Sequence, residues 1–304
     1  MRWKKLGRVF VADRHREWMQ THAANPKALK LDGDVYRIYF SSRDERNRSH
    51  IGYLDLDLYK PDEILALSRD PVLAPGERGM FDDCGVIPCC IVNVEGRVAL
   101  YYIGISLAVT VPAASFCGLA YLNDDFTQAT RASLAPIMER SETDPVSGGA
   151  AFVHFDEGQR IFHMWYESCS GWVPNGSALE ARLAVKYATS LDGLHWRRSN
   201  VVSIPPREGF TYVSTPCVIH EDGQFRMWFS HKVSGQYRIG YAESPDGLHW
   251  AVSSNREMDV SKNGWDSEAV EYPFVFTHKG EHYMLYNGNG YGETGFGLAK
   301  LIVD

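Results

Sequence analysis

One pattern constrains this chain more than any other: an apolar–aromatic tetrapeptide that recurs five times. The copies are Arg37-Ile38-Tyr39-Phe40, Ala99-Leu100-Tyr101-Tyr102, His163-Met164-Trp165-Tyr166, Arg226-Met227-Trp228-Phe229 and Tyr283-Met284-Leu285-Tyr286. Taking Tyr39, Tyr101, Trp165, Trp228 and Leu285 as equivalents, the spacings are 62, 64, 63 and 57 residues. A fixed period of this size marks repeated supersecondary units. Each copy follows a shorter strand and a turn: Asp32-Gly33-Asp34, Glu95-Gly96, Asp156-Glu157-Gly158, Glu221-Asp222-Gly223 and Lys279-Gly280. Acidic residues and glycine between apolar runs are hairpin chemistry. A third strand follows each time, at Ile51–Leu54, Gly118–Tyr121, Ala184–Tyr187, Ile239–Ala242 and Phe296–Ala299.

Four first strands carry a proline near their start, in Asn25-Pro26, Ile87-Pro88, Thr215-Pro216 and Tyr272-Pro273. Proline there loses no essential ladder bond. The remaining copy has Gly148-Gly149-Ala150-Ala151 instead. Copies three and four also repeat a turn, Ser190-Leu191-Asp192-Gly193-Leu194-His195-Trp196 and Ser244-Pro245-Asp246-Gly247-Leu248-His249-Trp250. These read as structural Asp-Gly turns despite their His and Asp. With almost no helical periodicity, three or four strands per repeat predict an all-β, five-bladed β-propeller, a single domain over residues 1–304. The fifth copy ends after three strands. The unassigned strand-like segment Leu6–Val11 is therefore expected to join the last blade and close the ring, removing a free edge.

Composition narrows the function classes. There are 31 Lys and Arg against 38 Asp and Glu, a formal charge of −7, with no basic stripe. Nucleic acid is therefore not expected as a partner. No apolar run reaches a membrane span or a signal-peptide core, so a cytoplasmic protein without membrane association is expected. The six cysteines form no C-x-x-C pair, and no metal or other cofactor is predicted. Nothing in the sequence fixes an oligomeric state.

In an up-and-down blade, the start of the first strand and the end of the second share one rim near the axis. That geometry gathers His22, Asn25, Asp82, Asp83, Tyr212, Trp265, Asp266, Glu268 and Glu271 with Arg43, Asp44, Glu167, His231 and Asn287 around one hollow. Carboxylates, an arginine, histidines and aromatics suit a carbohydrate or sugar-derived small molecule, which stacks on rings and offers hydroxyls. Cleavage of a glycosidic bond needs two opposed carboxyl groups, one of them protonated. Asp82 or Asp83 is the candidate base and Glu268 the candidate acid; the other residues are candidate substrate ligands.

Several segments resemble a known superfamily across essentially the whole chain. Thr21–Pro26, Tyr39–Asp44, the Asp-Gly-Leu-His-Trp turns, Gly264-Trp265-Asp266-Ser267-Glu268 with Tyr272-Pro273, and Tyr286–Gly292 are similar to five-bladed glycoside hydrolases. The branch is nearest to the arabinanase/xylosidase-like and mannoside phosphorylase-like groups. The resemblance implies hydrolysis or phosphorolysis of a glycosidic bond. The alternatives are a propeller recruited to other chemistry on a sugar-like or nucleotide-sugar metabolite, or a non-catalytic carbohydrate-binding propeller. Arabinanase-like members place a general-base Asp before the blade-one proline, where this chain has Asn25. Their Glu-Gly-Pro segment, which often carries the acid, is also absent; Glu271-Tyr272-Pro273 is the nearest match in form.

Overall fold

The computed structural model describes residues 2–302 except 13, 15, 95, 208–210 and 255–257, so Glu95 of the second expected turn lies outside the described residues. Its strands fall into five antiparallel units. After β1 (Arg2–Phe10), unit one holds β2 (Thr21–Asp32), β3 (Val35–Arg43), β4 (Ser49–Asp57) and β5 (Lys60–Leu67). Unit two holds β6 (Gly85–Val94), β7 (Arg97–Leu107), β8 (Ala113–Leu122) and β9 (Ala129–Arg131). Unit three holds β10 (Ser147–Asp156), β11 (Ile161–Asn175), β12 (Ala178–Ser190) and β13 (Arg197–Ile204). Unit four holds β14 (Thr211–Glu221), β15 (Gln224–Val233), β16 (Gln236–Ser244) and β17 (Ala251–Val252). Unit five holds β18 (Glu271–His278), β19 (Glu281–Asn287) and β20 (Phe296–Ile302), and β1 pairs antiparallel with β20 as its fourth strand. Single parallel bridges, Ser49 to Gly85 and Gly148 to Phe116, join units one to two and two to three.

Local chemistry explains the hairpins. Asp222-Gly223 and Lys279-Gly280 each place two successive residues at positive φ, the geometry of a type I′ turn whose twist matches the strands. The residue ending each repeated tetrapeptide is a ring: Phe40, Tyr102, Tyr166, Phe229 and Tyr286. Four of the five face a glycine on the third strand (Gly52, Gly118, Gly240 and Gly297). A Cβ on Gly118 would lie 2.3 Å from the Tyr102 ring. In unit three the facing residue is Lys186 instead.

The preceding residue in the first four tetrapeptides reaches the next unit. Tyr39 donates to the Phe126 carbonyl at 2.7 Å, Tyr101 to Gly193 at 2.8 Å and Trp165 Nε1 to Gly247 at 2.7 Å. Trp228 meets Trp3 of β1 edge-on at 5.9 Å. The Asp-Gly turns are thus docking points. Asp192 and Asp246 accept from the following Leu and His amides and hold exposed His195 and His249, as the structural reading of these turns expects. No helix among the described residues is long and apolar enough to cross a membrane.

Candidate functional site

All five first strands break register near the same point, between Ala24 and Lys27, Pro88 and Cys90, Gly148 and Ala151, Ser214 and Cys217, and Glu271 and Phe274. The prolines therefore sit at β-bulges, not simply at strand starts. A bulge leaves an unpaired position and re-aims a side chain. In units one, four and five the bulge is also strained: Asn25, Thr215 and Tyr272, each preceding a proline, have φ of 54°, 49° and 56°. His22 and Tyr212 share this left-handed conformation, at 62° and 55°. Such strain in non-glycine residues costs on the order of 1–3 kcal/mol each and clusters at functional sites.

A tyrosine cluster lies at these bulges. Tyr237 of β16 is 5.6 Å from Tyr212, 5.8 Å from Tyr272 and 5.7 Å from Tyr291, ring centre to ring centre. Lys232 Nζ lies 4.3 Å over the Tyr212 ring and is ion-paired to Glu180 at 2.9 Å. Burial holds the Tyr237 and Tyr272 hydroxyls well above their ordinary range.

Two glutamates border this cluster. Glu271 is fully buried, and neither carboxylate oxygen makes a well-formed hydrogen bond. Burial pushes its pKa up to about 8, against the weaker pull of the Tyr291 amide, Lys232 and Tyr272. Glu167 of β11 is half-buried; burial pushes it up to about 7. The small residues opposite make room for it, since a Cβ on Gly149 would lie 3.4 Å from its Oε1. A carboxyl desolvated without an ion pair favours its protonated form. On the unit-one side, His22 is lowered to about 4, first by burial and then by the Arg43 guanidinium. Arg43 bonds Asn47 and feels Tyr272, Tyr291 and Glu293. Tyr291, also left-handed, is 49% exposed and presents the open ring of the cluster.

Other sequence candidates lie in different surroundings. Asp82 is buried and accepts from Tyr102 at 3.1 Å and Arg131 at 2.8 Å. Asp266 does the same with Tyr286 and Lys5. Asp83 accepts from the Gly79 amide, in its own turn. Asp44 is filled by Arg48, His50 and two backbone amides. Glu268 is exposed, three residues from Glu271. Asn287 straps unit five to unit one, accepting from the Asn25 amide and donating to the Ala23 and Gly295 carbonyls. Trp265 packs 5.2 Å from Tyr286, inside its unit. His231 is buried beside Phe229. Tyr237 was not among the sequence candidates, and Tyr272 was named only in the Tyr272-Pro273 motif. Among the described residues no group of three His, Cys, Asp or Glu is arranged to hold a metal ion.

Comparison with known proteins places this geometry. No family model matches the chain. Solved structures with the same fold include a glycoside hydrolase (TM-score 0.72, 18% identity, covering 98% of this chain and 91% of the other) and a thermostable family-43 glycoside hydrolase (0.70, 16%, 95% and 93%). A third belongs to work on the GH130 family of mannoside phosphorylases, described as containing hydrolases that target β-1,2 mannosidic linkages (0.70, 15%, 98% and 93%). At these identities the likeness establishes the fold: that of the glycoside hydrolase propellers. Sequence relatives are two Mycobacterium tuberculosis proteins, "Uncharacterized protein MT1551" from strain CDC 1551 and "Uncharacterized protein Rv1502" from strain H37Rv, each 42% identical over 303 residues and 99% of both chains. With that identity over nearly its full length, the chain belongs to the family of these mycobacterial proteins.

Proposed function

We propose that the five units are blades of one five-bladed propeller, a single domain closed by β1, and that the protein cleaves a glycosidic bond of a carbohydrate at the tyrosine cluster. The observation that carries this reading is the pair Glu167 and Glu271: two desolvated carboxyls with raised pKa values, one opposite the bulge of unit three and one at the strained bulge of unit five, bordered by aromatic rings. Catalysis is assigned to them rather than to Asp82, Asp83 or Glu268. Asp82 has a tyrosine and an arginine on its carboxylate, and Glu268 is exposed.

Glu271, the higher of the two, is the proton donor to the leaving oxygen. Glu167, the lower and more open, is the base that takes a proton from the attacking water. Tyr291 offers its exposed ring to a sugar face, and neutral His22 with Arg43 meets hydroxyls. Substrate binding moves Tyr291 to uncover Glu271.

The test is an NMR time course with a panel of aryl glycosides and oligosaccharides, with and without phosphate. Glu271→Gln and Glu167→Gln are each expected to lower kcat by about 10²–10⁴-fold while leaving the fold intact by circular dichroism. Unchanged turnover in both variants overturns the assignment. The productive form has Glu271 protonated and Glu167 ionised. The kcat/KM profile should therefore be a narrow bell, with apparent pKa values near 7 and 8 belonging to the pair. A rate that is flat from about pH 5 to about pH 9 contradicts it.

A further inference from the structure

The hairpin of β11 and β12 is longer than its counterparts. Its register continues past the Glu167–Val185 pair as far as Asn175 and Ala178. The extension forms one wall of a cavity of about 310 Å³, lined by Val173, Glu180, Arg182, Arg207 and Tyr212 among others. Tyr212 belongs to both this cavity and the tyrosine cluster, so the two spaces adjoin.

One cation of the lining, Arg182, has no carboxylate partner among the described residues. Glu180 is taken by Lys232 at 2.9 Å. Arg182 is exposed, and no carboxylate among the described residues pairs with its guanidinium; Ser170 bonds its backbone carbonyl. Arg207 adds a second positive side chain to the lining. A guanidinium is a planar fork that matches carboxylate and phosphate oxygens. The cavity lies at the small end of ligand pockets, with room for one sugar ring.

We propose that this cavity is a second sugar subsite that takes a unit bearing an anionic group, a carboxylate or a phosphate ester, on Arg182. This rests on the carbohydrate reading above and names its substrate class: an acidic glycoside rather than a neutral one. Binding is measured separately from turnover, so failure of the catalytic assignment does not touch it.

The experiment is ligand-observed NMR titration with matched pairs: glucuronate and glucose, galacturonate and galactose, glucose 6-phosphate and glucose. These are run on the wild type, Arg182→Gln, Glu271→Gln and a distant control, Arg97→Gln. At least one acidic member should bind about tenfold more tightly than its neutral partner, the size expected of one charge-assisted contact. Arg182→Gln should remove that preference with an unchanged melting temperature, and Arg97→Gln and Glu271→Gln should keep it. The uronate and phosphate-ester pairs distinguish the two anions. The proposal is overturned by no acidic preference, by a preference that survives Arg182→Gln, or by inorganic phosphate displacing the acidic sugars at equal concentration.

Discussion

The corners of units two, three and five each hold a buried aspartate, and the bulges of units three and five border a half-buried and a buried glutamate. Asp82, Asp144 and Asp266 each accept from the tyrosine that ends their unit's tetrapeptide and from a nearby cation. For Asp144, burial alone would raise the pKa, but bonds from Lys186, Ser168 and Tyr166 outweigh it and hold the carboxyl below its ordinary value. Glu167 feels burial alone, and at Glu271 burial outweighs the Tyr291 amide, Lys232 and Tyr272, so both shift the other way. Depth is common to both groups. What separates the two groups is whether the charge is compensated.

The largest expected effect comes from removing an anchor. Asp144→Ala strands the Lys186 and Arg198 cations, each 2.9 Å from the carboxylate. It should cost about 3–5 kcal/mol in chemical denaturation. A loss below about 1 kcal/mol would erase the contrast. Next is the pH dependence of Glu271→Gln. The Glu271 pKa rises from 4.5 unfolded to about 8 folded, so its contribution is fully present below pH 4.5 and is lost as pH rises through 8. The variant has no such loss. Its stability relative to wild type should improve by about 4 kcal/mol between about pH 5 and about pH 9, at ~1.4 kcal/mol per unit. A pH-independent difference would mean that Glu271 is compensated after all. The smallest effect is Tyr102→Phe, which gives unit two the ring that units one and four carry. Losing its bond to Asp82 should cost about 1 kcal/mol, since Arg131 remains. A loss above about 3 kcal/mol would show the tyrosine, not the cation, to be the main partner.

The repeat, its hairpins and its third strands were legible because each rests on short-range pattern: alternation, Gly turns and a recurring aromatic pair. The N-terminal strand was also legible, although β1 runs over Arg2–Phe10 rather than from Leu6. The ion pairs of Asp82 and Asp266 were not legible because position along a strand does not say which way a side chain is satisfied. A signal was present: the aspartate occurs where the tetrapeptide ends in Tyr102, Tyr166 or Tyr286, and not where it ends in Phe40 or Phe229. Tyr237 was invisible because its contacts come from three other segments of the chain. Lys27 was missed for a similar reason. It lies buried after Pro26, lowered to about 8 first by burial, with the Cys89, Cys217 and Cys90 thiols nearby. Asn25, Thr215 and Tyr272 looked like ordinary residues before proline, which usually favours extended backbone. The bulge overrides that preference.

The pairing of Arg2 with Ile302 brings together nearly the two ends of the described chain. During synthesis β1 emerges long before its partner β20, so it waits without a ladder while the four intervening units are made. Trp3 cannot meet Trp228 in its finished setting before then. Contacts so distant in sequence make folding slow, and the open edge of β20 is a site for mispairing in the interval.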